Sequence, residues 1–156
     1  MPRKCARQVR TRFAAIAYVA LFLTAFVAAT LLPAQSEAAL AGLLVAGEHP
    51  VVVLVLVATA GNVLGSLVNW LIGRGVETFR DRRWFPVRPA ALERAQRWYR
   101  RYGKWSLLLS WLPIVGDALP LAAGAMREPL VPVAVLVTLA KLGRYVVLAA
   151  LVLRWA

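Results

Sequence analysis

The sequence predicts an all-α fold: a polytopic membrane protein with two re-entrant helical hairpins in an inverted repeat, plus spanning helices and an interfacial amphipathic helix. Three observations carry this expectation. Hydrophobic residues make up 61% of the 156-residue chain and mean hydropathy is +0.67, which with long apolar runs argues for an integral membrane protein. The stretch Ser110 to Gly124, SWLPIVGDALPLAAG, is apolar yet carries Pro113, Gly116, Asp117 and Pro120, so no uninterrupted helix is expected through it. The chain also resembles itself across its two halves, as set out below. A broken backbone at membrane depth is tolerated only where it is buried in protein or lines a polar cavity. Asp117 in bare hydrocarbon would cost about 2.5 to 3.5 kcal/mol, which makes it a functional candidate. The bland alternative for this stretch is a surface loop between two short soluble helices.

Charge placement narrows the partners. The chain has 19 Lys and Arg against 7 Asp and Glu, a formal charge of +12. Five bases lie in Arg3 to Arg12 and ten in Arg74 to Lys104, beside the apolar runs, as cytoplasmic flanks do. Membrane lipids with anionic head groups are therefore the expected partners, at about 1 kcal/mol per base near the surface, and nucleic acid is not. The same rule puts both the N-terminal tail and the 74–104 loop on the cytoplasmic side of the membrane. Homo-oligomers are compatible with this composition. A single cysteine, Cys5, permits no internal disulfide and suits a reducing compartment. The lone His49, beside Pro50, reads as a capping or solvated residue; with no second His or Cys partner, no metal and no cofactor are expected.

In chain order, residues 1–12 form a basic cytoplasmic tail and 13–156 a single membrane domain: repeat 1 at about 22–73, an amphipathic linker at 74–103, and repeat 2 at about 104–155. Phe13 to Leu32 follows the tail; at about 20 residues it exceeds the roughly 7 to 15 of a signal h-region, so an uncleaved segment is expected. Pro33 breaks it, and Ser36 is placed to cap a short helix over Glu37 to Ala46. Val51 to Gly73 is the strongest span. Its Gly61, Gly65 and Ser66 make a small-residue face for close packing, while Asn62 and Asn69, two turns apart, form either a polar path or two interhelical hydrogen bonds. Ala90 to Tyr102 is a basic amphipathic helix, with Leu92, Ala95, Trp98, Tyr99 and Tyr102 on one side, suited to a membrane interface. Lys104 to Trp111 re-enters, Leu119 to Met126 returns, and Leu130 to Trp155 is the last span. That span carries Lys141 and Arg144 on one face, which should turn inward and find acids.

The internal repeat lays LLPAQSEAALAGLL on WLPIVGDALPLAAG. Each copy has Pro followed four residues later by an acid, Glu37 or Asp117, and with one gap each continues to LVATAGNVLG or LVTLAKLGRY. With both basic flanks on one side, the helices at 51–73 and 130–155 run in opposite directions, the inverted arrangement whose sites form where two broken helices meet. The segment 13–32 must then serve both as a span and as a hairpin arm.

At this point the residues resemble a known family. An early P-x3-E in an apolar hairpin, a G-x3-G helix ending in WLIGR, a basic amphipathic helix, then GKWSLLLSWLPIVGD with AAGAMR and KLGRY are similar to the DedA family, also described as SNARE-associated Golgi or VTT-domain proteins, and most to its YqaA-like branch. The match runs from about Phe22 to Ala150. The resemblance implies polytopic inner-membrane proteins with two re-entrant hairpins that move lipids or lipid-linked phosphate carriers, using proton motive force. It implies that Glu37 is the membrane-embedded acid of the first hairpin. The better-known branch has an Asp where this chain has Ser66, and two arginines where it has Ser110 and Gly116, so the charges here fall to Asp117, Lys141 and Arg144 in a different arrangement.

The leading expectation is a proton-linked translocator of lipids or lipid-linked anionic carriers, with Glu37 and Asp117 as proton carriers and Lys141 and Arg144 as head-group or counter-charge residues. The alternative is a structural or assembly protein in which these four charges only fix helix packing. A third class, an intramembrane aspartyl hydrolase, has weak support, because the partner acid would be a Glu and no nucleophile or metal cluster is present. The chain is therefore not expected to be an enzyme.

Overall fold

Apolar runs free of breakers become the long helices. In the computed structural model, residues 2–29, 34–75, 89–112 and 115–155 are described, and they form α1 (Pro2–Ala28), α2 (Ala34–Ala46), α3 (Val51–Arg74), α4 (Pro89–Tyr102), a 3₁₀ helix (Gly103–Trp111), α5 (Val115–Ala125) and α6 (Leu130–Trp155). No strand occurs among the described residues. Two helices, α3 and α6, are long and apolar enough to cross a membrane. Pro50 opens α3 in an extended conformation, and the turn that closes α5 has Arg127 in the left-handed region at φ 58°. There the Arg127 and Glu128 amides return to the Gly124 and Ala123 carbonyls at 2.9 and 3.0 Å, closing the helix end.

Close contacts fix the directions of the helices. A Cβ at Gly61 would strike the Phe22 carbonyl and Ala25, and one at Gly65 would strike Phe26 and Ala29, so α1 and α3 run parallel with almost no gap. Between them in sequence α2 folds back along α1, and the Tyr18 and His49 rings meet at 5.1 Å where this first hairpin opens. Asn69 reaches the Asp117 carbonyl and, one turn on, Gly73 lies against Leu121, so α5 runs parallel to α3. The last helix is antiparallel to α3: the Trp70 indole donates to the Glu128 carbonyl at one end, and Asn62 meets Tyr145 further along. The second hairpin, made of the 3₁₀ helix and α5, thus opens toward the Arg74 end and the first toward the His49 end. Their closed ends approach the same level of α3.

Each hairpin has its own apolar core. Leu21, Ala25, Leu40, Leu44, Leu54 and Ala58 pack with Tyr145 and Ala149 at one end, and Trp70, Tyr99, Leu107, Leu119, Leu121, Val133 and Val137 at the other. Between them lies a buried polar layer of Asn62, Ser66, Asn69, Lys141 and Arg144, while Phe13, Ile16, Val52, Leu56, Val131, Val135 and Leu151 stand exposed. Polar groups inside and large aliphatic side chains outside is the pattern of a protein solvated by lipid rather than water.

Several expectations need correcting. The helix of the basic tail is continuous with α1, which ends at Ala28 rather than Leu32. Because α2 starts at Ala34, Ser36 lies inside it and does not cap it. The 3₁₀ helix ends at Trp111 and α5 starts at Val115. Gly116 and Pro120, expected at the hairpin break, both lie within α5. Leu112 is extended, at φ −71° and ψ 133°, because Pro113 follows it and excludes the helical conformation. Pro120, inside α5, removes only the bond its amide would have made to the residue 116 carbonyl. Pro33 and Pro113 themselves, and most of the 74–103 linker ahead of α4, lie outside the described residues. Finally, parallel α1 and α3 put the tail and Arg74 at opposite ends of this pair, at odds with both basic flanks sharing one side of a spanning α3.

Candidate functional site

The polar layer is organised by α6. Lys141 and Arg144, one turn apart, share a helix face that turns into the bundle. The Lys141 ammonium, 1% exposed, donates to Asp117 Oδ1 at 2.5 Å. Arg144 donates from Nε to Glu37 Oε1 at 2.5 Å, and its Nη2 also contacts that oxygen. Both acids occupy the first turn of the returning arm of a hairpin, Glu37 in α2 and Asp117 in α5. At a helix N-terminus the backbone dipoles favour a carboxylate, so each arm presents its acid where the local field stabilises it. Two acids and two bases make the cluster formally neutral, which is what burial in an apolar medium requires.

Hydrogen bonds tie the remaining polar side chains into this cluster. The Tyr145 hydroxyl donates to Ser36 Oγ at 3.0 Å and accepts from Asn62 Nδ2 at 2.8 Å. Asn69 Nδ2 donates to the Ala29 carbonyl at 2.9 Å and reaches the Asp117 carbonyl at 3.5 Å. It thereby satisfies a carbonyl left open by the end of α1 and links the two hairpins. Gly65 gives α1 its close approach to α3, and Gly116 lets α5 approach the 3₁₀ helix, since a Cβ there would run into the Ser110 backbone. Asn62 Oδ1 and Ser110 Oγ are buried without a partner among the described residues.

The structure therefore brings Glu37, Asp117, Lys141, Arg144, Asn62 and Asn69 into one layer and leaves Pro120 on the buried side of α5. Sequence reasoning gave no role to Tyr145 and assigned the Ser36 hydroxyl to a helix cap, whereas it accepts from Tyr145. The available signal was a tyrosine in the middle of a span, which needs a hydrogen-bond partner there. His49 packs with its ring tilted against Tyr18 at the open end of the first hairpin, away from this layer. Among the described residues no three His, Cys, Asp or Glu side chains cluster in a way that could hold a metal. Outside the layer, Tyr99 of α4 is buried beside Glu128. Burial, with the Glu128 charge adding to it, holds its hydroxyl well above the usual tyrosine range.

Residues 32–153, which run from α2 through nearly all of α6 and include Glu37, Asp117, Lys141 and Arg144, match the VTT domain. The chain belongs to the VTT-domain family. This VTT protein is 45% identical over 137 residues to inner membrane protein YqaA of Escherichia coli (strain K12), covering 87% of this chain and 91% of that one. It is 38% identical over 135 residues to an uncharacterized protein of Haemophilus influenzae, covering 82% of each. At greater distance it is 26% identical over 132 residues to undecaprenyl phosphate transporter A of Staphylococcus aureus, covering 77% of this chain and 65% of that protein. No solved structure matches it. The DedA resemblance with its YqaA-like branch is thus borne out, and the VTT protein is an all-helical bacterial inner membrane protein.

Proposed function

We propose that this protein moves an anionic lipid or lipid-linked carrier across the inner membrane, with Glu37 and Asp117 releasing and regaining protons as it does so. The observation that carries the proposal is the layer itself: two hairpins entering from opposite ends each deliver one acid to one of two neighbouring cations on α6. Protonating an acid frees its cation to hold an anionic head group, and deprotonating it returns the ion pair and expels the lipid. A site that is neutral in either state avoids stranding a charge in hydrocarbon. The relative named as an undecaprenyl phosphate transporter supports a lipid-linked substrate class.

In this reading both hairpins are re-entrant and α4 lies at the interface, its Trp98 and Tyr102 exposed and tilted against each other at 5.3 Å. The 74–104 flank, with twice the bases of the tail, takes the cytoplasmic side. No bond is broken in the lipid, so the protein is a carrier and not an enzyme. A second reading rests on exposure: the Lys141 and Asp117 side chains are 1% and 17% exposed, against 10% and 33% for Arg144 and Glu37. The deeper pair fits a structural clamp, leaving Arg144 with Glu37 as the exchanging pair. The test is translocation of head-group-labelled phosphatidylglycerol in vesicles with and without a pH gradient. Wild type should respond to the gradient, and Glu37→Gln with Asp117→Asn should not. Equal, gradient-independent transfer by both rules out the acid mechanism.

A further inference from the structure

A lateral groove of about 320 Å³ opens between the 3₁₀ helix and α6, walled by Leu108, Trp111, Leu139 and Val147 with Gly143 on its floor and Arg144 at its inner end. The four wall residues are all exposed, whereas Arg144 is 9% exposed. Because residues 139–147 are the middle of α6, the mouth faces the flank of the bundle, where lipid chains run in a membrane. Gly143 is unlike the glycines of α3. A Cβ there meets nothing within 4 Å, whereas at Gly61, Gly65 and Gly73 it would collide with a neighbouring helix. Its missing side chain therefore keeps the groove open rather than letting two helices approach. Arg144 spends Nε and Nη2 on Glu37, which leaves Nη1 for a second anion.

We propose that this groove seats one acyl chain of an anionic phospholipid, with its phosphate against Arg144. The assignment rests on the lipid reading above and adds the place where the lipid enters. A partner helix, about 10 to 12 Å across with its side chains, is too wide for a groove of this volume. An arginine at the end of an apolar passage selects a chain that carries a negative charge over a neutral one.

The test uses the full chain in phosphatidylcholine vesicles doped with phosphatidylglycerol bearing a diazirine on one acyl chain, irradiated and mapped by peptide mass spectrometry. Adducts should concentrate at 108–111 and 139–147. Gly143→Leu should reduce them to the level found on the exposed face of α1 at Val19 and Leu23, without lowering the melting temperature, since leucine is the better helix former. Leu139→Trp, which narrows the groove from its wall, is the second variant. The same diazirine chain on phosphatidylcholine should label the groove weakly, and Arg144→Gln should abolish the difference between the two probes. Uniform labelling around the bundle, equal labelling by both probes, or insensitivity to both groove-filling variants overturns the proposal. Groove adducts without translocation would sink the transport reading alone, and translocation without groove adducts would sink this site alone.

Discussion

Removing the Lys141 charge is the sharpest probe of the polar layer. Lys141→Met keeps an unbranched apolar stem but strands Asp117, whose side chain is only 17% exposed. At the 2.5 Å contact, Coulomb attraction with an effective dielectric constant of about 20 is worth about 7 kcal/mol before desolvation. Desolvation offsets part of this, and loss of one member of a buried pair has a net cost of about 3 to 5 kcal/mol. Adding Asp117→Leu removes the stranded carboxylate, so the double variant should recover most of that loss, because an apolar replacement of a buried pair is often neutral. The assay is unfolding of purified protein in detergent, followed by tryptophan emission, for wild type, both single variants and the double. A single-variant loss below about 1 kcal/mol, or a double-variant loss equal to the sum of the singles, would show that the pair is not coupled and would refute the reasoning.

Four further outcomes are expected. Gly73→Ala should destabilise by about 1 to 3 kcal/mol, because its Cβ would land on the Leu121 carbonyl. Gly42→Ala, with open space around it, should be neutral or stabilising in the same melting assay. Tyr99 keeps its proton to higher pH in the folded chain than in the unfolded one, where a tyrosine ionises at about pH 10. The stability this gives is complete below that pH and is lost as pH rises above it, so melting temperatures should fall more steeply for wild type than for Tyr99→Phe between about pH 9 and about pH 11. Arg127→Gly should raise stability by about 1 kcal/mol by relieving the left-handed backbone that closes α5, and a lower melting temperature would contradict that account.

The two spanning helices were legible because hydrophobic runs of 24 and 26 residues contain nothing that stops a helix until their ends. The charge pairing was legible too: two cations in mid-span need acids, and the sequence has two acids at equivalent places in its repeat. Which acid meets which cation was not, because Glu37 and Arg144 lie 107 residues apart and no spacing rule links them. Gly116 and Pro120 were misplaced for a simpler reason. Proline acts most strongly on the residue before it, so Pro113 sets the break at Leu112, while Pro120 costs α5 one hydrogen bond that the helix can forgo. That the tail and Arg74 lie at opposite ends of the α1–α3 pair was not legible, because counting bases says nothing about α2 returning along α1, and that return makes α3 repeat the direction of α1. The role of Tyr145 needed coordinates, since its partners come from α2 and α3.

The central claim is that the two hairpins enter the bilayer from opposite faces and meet over α6. Single cysteines at His49 and Tyr102, each in a Cys5→Ser background, mark the open ends of the two hairpins. Labelling with a membrane-impermeant maleimide, applied first to one face of sealed vesicles and then to both, measures it directly. Position 49 should react from one face and position 102 only from the other; reaction of both from the same face would contradict the inverted arrangement and the carrier mechanism built on it.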